Sequence, residues 1–259
     1  VFAQGLVWGG KVNDGGATTV RVNGSTYENG LTAGKVVFPA GSGPGDALPT
    51  GYEDVALQQV WRVRSDYLEM DENALNSSAS QFYGVDISEV TEADREAMLN
   101  QYEHDWEQWP AEKGAPFEDV DDDGQYDPAV DVPGYPGADQ TVWIVAHDMG
   151  GASAGTYGSP PIGLELQMTM WGYDFPSTSA LGNIAFIRNR LIYTGLVDSM
   201  AGADVNATID SMFVVHWVDP DVGDAGDDYA GSDSTLSLGY TYNGAVNDPN
   251  YLNNFGVPA

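Results

Sequence analysis

Residues 163–174 read GLELQMTMWGYD, and their alternation decides the fold class. Leu164, Leu166, Met168 and Met170 fall on one side of an extended chain, and Glu165, Gln167 and Thr169 fall on the other. Successive side chains of a strand point to opposite faces, so this period marks a half-buried antiparallel strand with one wet face.

Other short apolar runs, each bounded by Gly, Pro, Asn or Asp, carry the same chemistry on both sides of this one. Before it stand GLVWGGKV (5–12), TTVRVNG (18–24), KVVFPA (35–40), VWRVRSDY (60–67) and TVWIVAHD (141–148). After it stand NIAFIRNRLIYTG (183–195), ATIDSMFVVHWVD (207–219) and TLSLGYTYNG (235–244). No fixed period repeats, and the strands do not alternate with helices as a parallel sheet requires. The expected fold is mostly β, an antiparallel β-sandwich-like domain with long Asp/Gly-rich loops and one inserted amphipathic helix.

That helix is expected at about 91–108, in TEADREAMLNQYEHDWEQWP (91–110). Thr91 is placed to cap it with Asp94 three residues on, and Pro110 ends it. Met98, Tyr102, Trp106 and Trp109 recur near helical spacing, a stripe expected to pack on the sheet, with sugar binding by the tryptophans as the other reading. A shorter helix is expected within DENALNSSASQF (71–82). The organisation expected is one large β domain: strands or an arm over 1–50, the helical insertion and an acidic loop over 51–135, and a β core over 136–259.

Composition narrows the partners. The chain has 259 residues with 39 acidic against 9 basic side chains, a net charge of −30. Such a surface repels nucleic acid and anionic lipid, and it suits cations. Without cysteine there are neither disulfides nor thiolate metal sites. No apolar run approaches the ~18 residues of a membrane helix. The opening VFAQG fits the small-residue pattern before a signal-peptidase cut, which leads to the expectation of a secreted protein.

The acid is concentrated. DVDDDGQYDPAVD (119–131) holds six carboxylates in thirteen positions. Two carboxylates 4 Å apart repel by about 1 kcal/mol in water and about 4 kcal/mol at the effective dielectric of a protein surface. Asp119, Asp121 and Asp123 take positions 1, 3 and 5 of a calcium loop, Gly124 position 6, Gln125 position 7 and Asp127 position 9. Asp131 is a candidate closing ligand. Val130 stands at position 12 where an EF-hand has Glu, and Pro128 forbids an ordinary exiting helix, so the expectation is a lone Ca2+ loop. A solvated acidic turn is the plain alternative. A second cluster, DPDVGDAGDDYAGSD (219–233), offers Asp219, Asp221, Asp224, Asp227, Asp228 and Asp233 in no named spacing. Calcium bound with the 10⁻⁴–10⁻³ M affinity of extracellular modules contributes roughly 1–3 kcal/mol at millimolar concentration.

Catalytic patterns are weak. GASAG (151–155) satisfies G-x-S-x-G around Ser153, with His147 and Asp148 upstream, but TYGSPPIG after it does not read as the helix a nucleophile elbow needs. The partners would have to be Asp198 and His216, on segments read as a turn and a strand. A flexible glycine loop is the reading preferred there. His104, His147 and His216 show no zinc spacing. Trp171 shares a face with Glu165 and Gln167, a set able to stack on a pyranose and bond its hydroxyls, or else to pack in the core. Arg188 and Arg190 share a strand face and are expected to pair with carboxylates.

Several stretches together resemble a known group: VWRVRSDY, WPAEKGAPFEDVDDDGQYDPAVDVPGYPGADQTVWIVAHD, YGSPPIGLELQMTMWGYD, LGNIAFIRNRLIYTG and ATIDSMFVVHWVDPDVGDAGDDYAGSDSTLSLGYTYNG. They are similar to large secreted proteins of Bacteroidota-type bacteria, often exported through a C-terminal type 9 sorting domain. The resemblance spans most of 60–245 and implies an extracellular place and a multi-domain parent chain, with no particular chemistry. The sequence ends at FGVPA without a sorting domain, so a fragment or processed piece is expected. The functional expectation is an extracellular calcium-stabilised structural or binding domain without catalysis, of the kind that forms a surface-layer or fibre subunit. It would self-assemble by strand pairing, with segment 1–12 as candidate donor. The alternative is a module that binds or acts on a glycan.

Overall fold

The computed structural model describes residues 3–14, 18–36, 55–149, 152–175, 179, 182, 184–195, 207–223 and 225–244. It is mostly strand, 40% against 24% helix, and every sheet is antiparallel, which agrees with the mostly-β, sandwich-like class expected. In chain order the strands are β1 (Ala3–Asn13), β2 (Thr19–Gly24), β3 (Thr32–Ala33), β4 (Trp61–Arg64), β5 (Phe117–Glu118) and β6 (Val132–Pro133). They continue with β7 (Gln140–His147), β8 (Leu164–Gly172), β9 (Ala185–Tyr193), β10 (Thr208–Asp219), β11 (Asp228–Asp233) and β12 (Leu238–Asn243). Among the described residues three α-helices accompany them: α1 (Glu72–Tyr83), α2 (Glu92–Glu107) and α3 (Ala152–Tyr157). The chain divides into two compact units, Thr32–Gly150 with Gly163–Asn206, and Val1–Leu31 with Gly151–Ile162 and Ala207–Ala259.

The first of these units is built on a five-stranded sheet ordered β3-β7-β8-β9, with β4 also pairing β7. β4 takes the Gln140–Trp143 half of β7, and β3 takes Ala146 and His147. Along β7, Thr141, Trp143, Val145 and His147 are buried in strict alternation. Across the β7–β8 ladder these face Trp171, Thr169, Gln167 and Glu165. The expectation for β8 therefore fails on one point: the face expected to be wet is the core face. Glu165, Gln167 and Thr169 are buried, Leu164 and Leu166 on the opposite face are buried too, and Met168 and Met170 are half-buried. The strand is covered on both faces at its start, and its polar residues are tolerated because they are paired. Lys35 Nζ donates to Glu165 Oε1 at 2.8 Å, the Val36 N–H to Oε2 at 2.7 Å, and Gln167 Nε2 to Oε1 at 2.8 Å. Arg190 in turn donates to Gln167 Oε1 at 3.3 Å. Burial without such partners would cost several kcal/mol.

Leu57, Trp61, Val63, Trp109, Ala115, Trp143 and Val145 form the core of the unit. Helix α2 follows the expectation closely: Thr91 and Asp94 cap each other reciprocally, and the helix ends one residue short of 108. Its stripe divides between two cores. Met98 and Tyr102 pack with Ala79 of α1, while Trp109 and the half-buried Trp106 reach the sheet core. Asp105, fully buried on the same helix, accepts from the Arg62 N–H of β4 and from Gln101. Burial raises its pKa, and those bonds act against the rise.

His147, at the end of β7, is buried, and its Nδ1 accepts from the Met149 N–H at 3.2 Å, so the ring is neutral. Burial lowers its pKa from 6.5 to about 4. The unfolded chain thus takes up a proton that the native one refuses. Stability from this group is complete above pH 6.5 and is lost as pH falls towards 4, by on the order of 3 kcal/mol in all. Urea unfolding at pH 7, 5.5 and 4.5 is expected to show this slope in the wild type and a shallower one in His147→Gln; equal slopes would refute it.

The other unit carries the sheet β10-β1-β2 and the hairpin β11–β12. β1 is the central strand, bonded to β10 on one edge and β2 on the other. Of segment 1–12, expected as a donor, residues 7–12 are already paired on both sides and residues 3–6 with β10. The ladder to β10 shifts register between Gly9 and Lys11, where Ser211 adopts φ 51°, the left-handed geometry of a bulge.

Candidate metal centre and the groove beside it

The loop 119–131 closes on the two-residue ladder of β5 with β6, where Glu118 pairs Val132. Inside it the aspartates have separate duties. The oxygens of Asp119 accept from the Asp123 N–H at 3.1 Å and the Gly124 N–H at 2.8 Å, and Asp123 accepts from the Gln125 N–H at 2.7 Å. These bonds curl the chain so that Asp119, Asp121 and Asp123 each present an oxygen within 4.8 Å of the others. Oxygens sharing one calcium at 2.3–2.6 Å lie at most about 5 Å apart, so the spacing suits a single ion. Gly124 turns the chain at φ 79°, as position 6 requires. This exposed cluster can hold a metal ion. The Asp121 carboxyl is held above the usual carboxylate range, by partial desolvation and then by the charge of Asp123, with smaller pushes from Asp131 and Asp119.

Asp131 has another role than closing ligand. It is buried, and its two oxygens accept the Val120 N–H at 2.9 Å and the Asp127 N–H at 2.8 Å, clasping the two limbs of the loop. Asp127 caps the next turn through the Ala129 N–H at 2.9 Å, and Gln125 is exposed beside the cluster. The loop is stitched to α2: Tyr126 donates its hydroxyl to the Trp106 carbonyl, and Trp106 Nε1 donates to the Pro128 carbonyl at 3.3 Å. Burial, and then the Asp131 charge, raise the Tyr126 pKa, so the hydroxyl keeps its proton.

The second acidic segment is arranged differently. Asp219 accepts from the Tyr27 hydroxyl at 2.6 Å, Asp228 from the Val222 N–H at 2.9 Å, and Asp233 from the amides of Thr235 and Leu236. Asp227 accepts the Gly244 N–H through its carbonyl, Asp221 is exposed, and Asp224 lies outside the described residues. Among the described residues, the group of carboxylates that converges is that of the first loop.

The expected sugar platform on β8 is closed. Glu165 and Gln167 are buried in the ion-paired network, and the half-buried Trp171 stacks with Tyr135 at 3.9 Å and 7° and with Phe186 at 5.5 Å and 16°. Arg188 and Arg190 make no ion pair among the described residues, where Arg190 donates to Gln167. Ser153 falls in the six-residue helix α3, where a glycine loop was expected, and Asp198 lies outside the described residues. Asp148 is fully buried and accepts the amides of Gly163 and Leu164, a structural duty like that of His147.

Sequence reasoning missed a groove beside the metal loop. One cavity of about 590 Å³ lies between the end of α2, the turn after it and residues 124–128. A second, of about 580 Å³, adjoins it and shares Glu107, Gln108 and Pro128. Its walls come from segments distant in sequence, so no local spacing announces it. No protein family, curated protein or solved structure matches the chain.

Proposed function

We propose that the protein is an extracellular, calcium-stabilised domain with a structural or binding role and no catalysis, a subunit that joins its neighbours through open strand edges. The observation that carries this reading is the turn at 119–124, where three carboxylates converge in a curl already held by Asp119 and Asp123. Three hard oxygen donors with no imidazole among them, on a loop able to adjust, favour calcium over zinc or magnesium. The net charge of −30 suits a chain in a calcium-containing medium.

The edges support the assembly half of the reading. β10 is the edge strand of its sheet, and Met212, Phe213, Val214, Val215 and Val218 are all more than a third exposed, Phe213 by 72%. From 211 to 218 it has no Asp, Glu, Lys, Arg or Pro, the devices that normally guard an edge. β9 is likewise an edge strand with exposed Phe186 and Ile187. Among the described residues β2, β3, β4, β11 and β12 also have an open edge, but β10 carries the long uncharged apolar run and is the strand offered first to another chain.

Light scattering and thermal melts of the full chain, in millimolar calcium and in chelator, test both halves together. The expected outcome is a particle larger than one chain in calcium and a melting temperature several degrees higher than in chelator. A monomer under both conditions rejects the assembly, and coincident melts reject the calcium.

A further inference from the structure

The groove along the end of α2 has the make-up of a ligand site. Its first cavity falls within the ~300–1,000 Å³ of small-molecule sites, and the adjoining one extends it for a longer chain. Its apolar strip consists of partly buried rings, Trp106, Phe117 and Tyr126. Its rim consists of exposed hydrogen-bonding side chains: His104, Glu107, Gln108 and Gln125. The lysine that lines it, Lys113, is paired with Glu112 at 3.0 Å, and with Glu107 beside them the described lining is net negative, which disfavours an anionic ligand. Glu107 is then the one carboxylate of the lining outside an ion pair, too little charge for the groove to select a cationic partner over the rest of an acidic surface. Flat apolar rings bordered by amides and one carboxylate match a ligand with an apolar C–H face and a ring of neutral hydroxyls.

We propose that this groove binds a neutral oligosaccharide. The pyranose faces lie on the aromatic strip, and Glu107, Gln108 and Gln125 take the hydroxyls, each able to accept from one hydroxyl while the amides donate to another. The site is separate from β8, whose Glu165 and Gln167 are buried in their own network and whose Trp171 does not line the groove. Residues 124–128 of the metal loop wall the groove, but the glycan contacts use side chains outside the Asp119–Asp121–Asp123 cluster, so the two readings are tested apart.

The test is a binding screen of the full chain, in millimolar calcium, against neutral glucan, mannan, xylan and N-acetylhexosamine oligomers, with octalysine as the cationic control. Calorimetry then follows on whatever binds. At least one neutral oligomer is expected to bind, and Glu107→Ala and Gln125→Ala are each expected to weaken it by about tenfold with an unchanged melting temperature. Both side chains are exposed, so the variants retain the fold. Silence across the neutral oligomers overturns the proposal, as does binding that both variants leave intact. Salt-suppressed binding of octalysine alone overturns it in favour of a cationic peptide. Loss of glycan binding in the variants with no calcium effect on melting would leave the groove standing and remove the calcium, so the two readings fail separately.

Discussion

Glu165→Ala is expected to lower the free energy of unfolding by about 3–5 kcal/mol, the range for removing one partner of a buried ion pair. Glu165 accepts three bonds on a side chain only 1% exposed, from Lys35, Val36 and Gln167. Truncation strands a lysine ammonium, a buried backbone N–H and an amide, and it opens a cavity between β8 and residues 35–36. Partial access of solvent to Lys35, 19% exposed, pulls the cost towards the lower end. Lys35→Met alone is expected to cost as much, because the carboxylate then sits buried without its counter-charge. The double variant should cost clearly less than the sum, since an apolar pair has no charge to desolvate. Chemical denaturation of the four proteins measures this. Single variants within 1 kcal/mol of the wild type would show that the network contributes little.

Asp131→Ala is expected to cost about 2–4 kcal/mol, although it relieves charge repulsion beside the metal loop. Two effects compete. Removing one carboxylate lessens the repulsion on Asp121, but Asp121 is itself exposed to water and Asp131 is a minor push on it, so the relief amounts to about 1 kcal/mol. Against it stand two amides, Val120 and Asp127, left without an acceptor, each costing about 1–3 kcal/mol. The lost bonds therefore win. With the limbs unclasped, the ion site loses its frame, so calcium should raise the melting temperature of this variant far less than that of the wild type. A variant as stable as the wild type, or equally responsive to calcium, would show that the loop is framed by β5 and β6 alone.

Much of this molecule is legible from local spacing. The capping pair Thr91–Asp94 and the boundary at Pro110 place α2 because both signals act within one turn. The curl at 119–124 is legible for the same reason: positions 1, 3, 5 and 6 interact with one another rather than with distant chain. Burial of the polar face of β8 is not legible, because alternation tells two faces apart without saying which is covered. Only the ladder to Trp143 and Val145 makes Gln167 and Thr169 interior. Asp131 misled for a related reason. Its spacing suits a ligand, yet the β5–β6 pairing draws it inside, where two amides claim its oxygens. β1 offers the same lesson, since its partner β10 lies at the far end of the chain.

Calorimetric titration of calcium into the chelator-treated chain tests the central claim most directly. The account predicts saturable binding near 10⁻⁴–10⁻³ M, lost in Asp121→Ala/Asp123→Ala. Binding heat that is absent from the wild type, or undiminished in that variant, would contradict it.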